Sequence, residues 1–129
     1  LIRQDIIFVN RQKGSGTRVL LDYKLNELGI RSKEVNGYDR EMTTHMTVAS
    51  AILSGTADVG IGIKSVANVM GLDFIPIGEE EYDFAMETEI LNDYKIQRFI
   101  EVLKSDEFKE KLLEIGGYVL ESAGEIIEI

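Results

Sequence analysis

Residues 6–28 constrain the fold more than any other stretch. Ile6-Ile7-Phe8-Val9 is a short unbroken apolar run, the pattern of a strand buried on both faces. Val19 to Leu28 follows, with Leu21, Leu25 and Leu28 on one helical face. Between them lies Asn10-Arg11-Gln12-Lys13-Gly14-Ser15-Gly16-Thr17-Arg18, a loop that carries the chain from the end of a strand to the start of a helix. The first N–H groups of a helix have no internal partner, and the helix dipole gathers partial positive charge there. Gly14 and Gly16 lack Cβ atoms, so a ligand can approach the backbone, while Lys13 and Arg18 add cationic charge. Two readings fit: an anion-binding loop, or a tight turn with a Ser or Thr N-cap. The loop is not the phosphate loop of the NTPases, because the Gly-Lys-Ser/Thr ending is missing. Nor is it Gly-x-Gly-x-x-Gly, since position 19 is Val.

Composition narrows the function classes. A chain of 129 residues fits one domain with a proper core. No apolar run approaches the roughly 18 residues of a membrane-spanning helix. With no Cys there are no disulfides or thiolate metal sites, a usage that fits the cytoplasm. The single His excludes a multi-histidine metal site within one chain, and no cofactor is expected. The net charge of −9 argues against direct nucleic-acid binding by this chain. The acidic residues gather late, from Glu79-Glu80-Glu81 onward, whereas most of the Arg lies in the first third, so a locally basic loop still permits a small anion.

The remaining pattern predicts alternating strands and helices. The first helix runs from about Ser15 to Leu28 and stops at Gly29. Glu34 to Tyr38 reads as a short second strand. Met42 to Gly55 reads as a helix, with Met46, Ala49 and Leu53 on one face, Val48 and Ile52 beside it, and Thr43 or Thr44 as the cap. Ala57 to Ile63 alternates with period 2, its glycines marking close approach of a helix, a ligand or another backbone. Lys64 to Met70 is a short helix ended by Gly71. Leu72 to Ile77 and Tyr82 to Met86 read as strands, the former with Pro76 near its end. Two amphipathic helices follow: one carries Ile96, Phe99, Ile100 and Leu103. The other carries Phe108, Leu112 and Ile115, starts near Ser105 and closes at Gly116-Gly117. This is α/β architecture, a mostly parallel sheet flanked by helices, read as a single domain with a lobe core over 1–90 and C-terminal helices over 91–129. In a parallel sheet both helix starts fall on one edge, where ligands of open α/β sheets bind.

The segment Phe8 to Asp22 closely resembles the hallmark of the periplasmic-binding-protein-like domain. That domain occurs in molybdopterin biosynthesis proteins, LysR-type substrate-binding domains and helix-turn-helix regulators. The segments Thr44 to Ala49, Ser54 to Ile63, Gly71 to Ile77, Tyr82-Asp83 and Gly116-Gly117-Tyr118 match it in order. The resemblance implies a type II fold of two α/β lobes with the ligand between them. This chain would be the second, C-terminal lobe, with a first lobe expected upstream. The wider fold holds oxyanions such as molybdate, tungstate and sulfate at helix starts. The resemblance carries that role to Ser15, Gly16 and Thr17 at the first helix and to Thr44 and His45 at the second. Arg18 would supply charge and Tyr82 would close the site.

Other residues have plainer readings. Asp58 suits a structural cap or pair, and Arg11 either anchors the loop through carboxylates or touches the ligand. No Ser–His–acid set or Cys nucleophile is recognisable. The leading expectation is a non-catalytic oxyanion-binding lobe that serves as sensor or delivery module in molybdenum-cofactor biosynthesis or its regulation. A fragment of an enzyme handling a phosphorylated substrate is the second. An assembly module, joined as a homo-oligomer through its exposed apolar face and tail, is the third.

Overall fold

A computed structural model describes residues 1–127. They divide into two compact units, Leu1–Gly78 and Glu79–Ile129. The first is α/β. Its strands are β1 (Phe8–Arg11), β2 (Glu41–Met42) and β3 (Val59–Gly60), and its helices are α1 (Gly16–Glu27), α2 (His45–Leu53) and α3 (Lys64–Met70). β1 is central, in the order β2-β1-β3, and both pairings are parallel. Asn10 sits opposite Glu41, and Phe8 opposite Val59.

Strand periodicity builds two cores on this sheet. Successive β1 side chains point to opposite faces. Phe8 packs with Leu21 and Leu25 of α1, together with Val35 and Ile61. Val9 packs on the other face with Val48 and Ala51 of α2 and with Ala57. Gly60 permits the second packing. A Cβ there would sit 2.5 Å from Val48 Cγ1 and 2.8 Å from Val9 Cγ1. The period-2 reading of the glycines thus marked a helix approach.

Helix boundaries follow their capping chemistry. Ser15 caps α1 by accepting the Arg18 N–H, and Gly29 continues past its end at φ 66°. Thr44 caps α2 in a capping box with Thr47. α3 ends at Gly71 in the left-handed conformation, as its sequence predicts.

Strands depart from expectation. β1 begins two residues later than the apolar run and extends through Arg11, while Ile7 is exposed. Residues 34–38 form no strand. Ser32–Glu34 is a 3₁₀ turn, and Asn36-Gly37 then turns the chain, Gly37 adopting φ 92°. β1 is still bonded to this segment, through the Phe8 N–H to the Asn36 carbonyl (2.9 Å) and the Asn10 N–H to the Arg40 carbonyl (2.8 Å). A Cβ on Gly37 would overlap the Phe8 carbonyl. On α2 the buried residues are Val48, Ala49 and Ala51, whereas Met46 and Leu53 are exposed. The face is rotated because the small residues fit against the sheet. Leu72–Ile77 makes no ladder: the Leu72 N–H returns to the Ala67 carbonyl, and Pro76 has no N–H to give.

The second unit holds α4 (Tyr94–Lys104) and α5 (Asp106–Ile115), capped by Asp93 and Ser105. Tyr82–Met86 is not a strand. Its aromatics instead meet edge to face, Phe84 against Tyr82 (6.1 Å) and against Phe99 of α4 (5.0 Å). The apolar ending at Ile126–Ile129 falls partly outside the described residues, which stop at Ile127.

Candidate functional site

Three parallel strands deliver three helix starts to one sheet edge. The loops are Gln12–Ser15 before α1, Thr43–Thr44 before α2 and Ile61–Ile63 before α3. Hydrogen bonds tie the first two together. The Gln12 N–H donates to the Met42 carbonyl (3.0 Å), and Arg11 reaches across from the end of β1. Its Nη2 donates to the Thr43 carbonyl (3.2 Å), its Nη1 to His45 Nε2 (2.7 Å) and its Nε to Gln12 Oε1 (3.1 Å).

The hydroxyls in these loops serve the backbone. Ser15 Oγ donates to the Gln12 carbonyl (3.0 Å) and accepts from the Arg18 N–H (3.3 Å). Thr44 Oγ1 accepts from the Thr47 N–H (3.1 Å). Capping in this way leaves the N–H groups of Gly16 and Thr17, and of His45 and Met46, without partners inside their helices. Gly14, at φ 87° with open space around it, supplies the turn before them. Gly14, Ser15, Gly16, Thr17, Thr44 and His45 are therefore gathered at one edge.

The two buried arginines differ. Arg18, 2 % exposed, turns away from the loop into a network. Its Nε donates to Asp22, and its Nη1 donates to the Arg11 carbonyl (3.0 Å) and to Glu41 (3.3 Å). The guanidinium lies 4.1 Å over the Tyr38 ring, and the Tyr38 hydroxyl donates to Asp22 (2.6 Å). Its charge is neutralised by Asp22 and Glu41. Arg11, 8 % exposed, pairs with no carboxylate among the described residues; its partners are an amide oxygen, an imidazole and a carbonyl. A buried cation without a counter-charge is unfavourable, and an anion at the edge would offset that penalty. The sequence pointed to Arg18 for charge and left Arg11 open. Which arginine is neutralised depends on Asp22 and Glu41, one turn and one strand away.

His45 is defined by Arg11. A guanidinium only donates, so Nε2 accepts and the neutral ring carries its proton on Nδ1. Nδ1 is buried with no hydrogen-bond partner among the described residues. Burial first, and the nearby Arg11 charge second, lower the His45 pKa, so the ring is neutral at pH 7. Beside it a cavity of about 60 Å³ opens between α2 and α3, lined by His45, Gly62, Ile63, Asp73 and apolar side chains. Asp58 has a structural role at the start of β3, where its Oδ2 accepts from the Ile7 N–H (2.7 Å). Tyr82 lies in the second unit and is 90 % exposed. No cluster of His, Cys, Asp or Glu among the described residues suits a metal ion.

Parallel strands with helix starts on one edge are the arrangement of many ligand-binding α/β domains. Comparison with known families decides among them: the model of the PBP superfamily domain matches residues 1–104. The chain belongs to the PBP superfamily. It is 39 % identical over 127 residues to the uncharacterized protein YvgK of Bacillus subtilis (strain 168), covering 98 % of this chain and 41 % of that protein. It is 34 % identical over 110 residues to an uncharacterized protein in the 5′ region of the ferredoxin 2Fe-2S gene of Clostridium pasteurianum, covering 84 % of this chain and 97 % of that one. The chain thus spans about two fifths of the Bacillus relative and nearly all of the Clostridium one. No solved structure matches it.

Proposed function

We propose that this PBP-superfamily chain is a non-catalytic binding lobe for a small oxyanion. One observation carries the reading: the Arg11 guanidinium is buried beside the loops that open α1 and α2 and has no carboxylate partner among the described residues. Free amide N–H groups and a fixed cation at the same edge make a positive recess in a chain of net charge −9. The ligand contacts are the N–H groups of Gly16, Thr17, His45 and Met46 together with Arg11. Gly14, Ser15 and Thr44 shape the two loops. Arg18 holds the loop from behind.

The lobe would act as the second half of a two-lobe domain, with closure over the anion as the signal. Molybdate and tungstate are the leading ligands, in a sensor or delivery role in molybdenum-cofactor biosynthesis or its regulation. Thermal unfolding of the full-length protein tests the reading. A ligand at a hundredfold excess over its Kd adds about 2.7 kcal/mol of stability, a Tm rise of several degrees. Molybdate or tungstate should produce that rise where equal ionic strength of chloride does not. Identical melting in all three salts would refute it.

A further inference from the structure

Gly60 and Gly62 stand two residues apart, and packing explains only the first. A Cβ at Gly60 would collide with Val48 and Val9. A Cβ at Gly62 would meet a single atom within 4 Å, His45 Nδ1 at 3.8 Å, which is ordinary contact. Nor is the Gly62 backbone left-handed. Sterics and backbone therefore tolerate a side chain at position 62, and its absence leaves Nδ1 uncovered. That nitrogen is buried and has no hydrogen-bond partner among the described residues. Its protonation is fixed from the far side of the ring: Arg11 only donates, so Nε2 accepts and Nδ1 carries the proton. A buried N–H without an acceptor is costly. The cavity beside it, of about 60 Å³, has room for about four atoms the size of a water oxygen. Its walls are mostly apolar, including Val66, Leu72 and Phe74, and they carry one acid, Asp73.

We infer that this cavity is a subsite for a small neutral carboxamide, whose carbonyl oxygen accepts from His45 Nδ1–H. The amide N–H groups find their acceptor in Asp73, and the apolar body lies against the α2 and α3 side chains. Three other ligand classes fit worse. An anion opposes the Asp73 carboxylate, a cation opposes the Nδ1–H, and a hydrocarbon leaves both polar groups unpaired. The subsite is separate from the oxyanion contacts and does not rest on them. Arg11 holds Nε2 of the His45 ring, whereas the carboxamide takes Nδ1 on the opposite side.

NMR of the protein isotope-labelled at histidine tests this, because His45 is the chain's single histidine and its ring nitrogens report directly on the cavity. Acetamide is the probe. Acetamidinium, of the same shape but cationic and without a carbonyl oxygen, is the control. Acetamide should shift the Nδ1 resonance saturably, at about millimolar affinity for so small a molecule. It should bind at least about tenfold more tightly than acetamidinium. Gly62→Ala places a methyl group over Nδ1 and should weaken acetamide binding by at least about tenfold while the denaturation midpoint is retained. No saturable shift with acetamide would overturn the assignment. So would equal affinity for acetamidinium, which would make the Asp73 charge the attraction, or undiminished acetamide binding in Gly62→Ala. Each of these results leaves the oxyanion reading standing, since that reading fails only if the edge beside Arg11 binds no oxyanion.

Discussion

Arg11 and Arg18 are both buried, and they should respond differently to loss of charge. Arg18→Met leaves Asp22 and Glu41 without their partner and removes the contact with Tyr38. Because both carboxylates are partly exposed, the loss should be about 1–3 kcal/mol, read from urea denaturation. Arg11→Met removes a buried cation that has no counter-charge among the described residues, so the lost hydrogen bonds are offset by the relieved desolvation and stability should change by less than about 1 kcal/mol. Equal destabilisation by the two substitutions would contradict the distinction. His45 supplies a pH test. Its folded pKa lies below the unfolded value of about 6.5, so the unfolded chain takes up its proton first. Stability should therefore fall as pH drops below about 6.5 and level off below the folded pKa. His45→Gln keeps an acceptor for Arg11 and should flatten the decline between about pH 7 and 5.5. An unchanged slope in that variant would assign the decline to other groups. Glycine loops are visible in a sequence, but the charge balance of a buried arginine is a tertiary property. This is why the Ser15 cap and the helix start at Gly16 are legible in the sequence and the distinct duties of Arg11 and Arg18 are not.

At the scale of elements, the parallel sheet depends on close approach of α2. Gly60→Ala puts a methyl group against Val48 and Val9 and should cost about 1–3 kcal/mol through overpacking. Val48→Ala in the same chain should recover part of that loss, so a double-mutant cycle in denaturant should give a favourable coupling. Additive losses would mean that Gly60 matters for another reason. The helices were legible because their signals are local: Ser15, Thr44 and Ser105 cap, and Gly71 and Gly116 terminate. Strands depend on partners elsewhere in the chain. Glu34–Tyr38 has the composition of a strand, yet the Asn36-Gly37 turn delays pairing until Glu41. Leu72–Ile77 and Tyr82–Met86 are largely apolar but have no ladder to join among the described residues. The buried face of α2 departs from the larger apolar residues because Val48 packs beside Gly60 with Ala49 and Ala51 buried near it in sequence, which leaves Met46 and Leu53 exposed.

Across the whole molecule, the most protected structure and the proposed binding edge are separate parts of the same strands. β1 is fully buried and paired on both sides, so hydrogen exchange should be slowest for the Phe8–Arg11 amides and fast across residues 72–87, which lack regular structure. The proposed binding edge lies at the C-terminal ends of those same strands. A net charge of −9 repels anions at long range, so affinity must come from the few donors at the edge rather than from the overall field. Arg11 is the buried charge in that set. The most direct measurement is therefore calorimetric titration of tungstate into the full-length protein and into its Arg11→Met variant. The account predicts binding by the parent and a loss of at least about a hundredfold in the variant, with the circular dichroism spectrum and the denaturation midpoint retained. Equal affinity in the two proteins, or no binding by the parent, would contradict it.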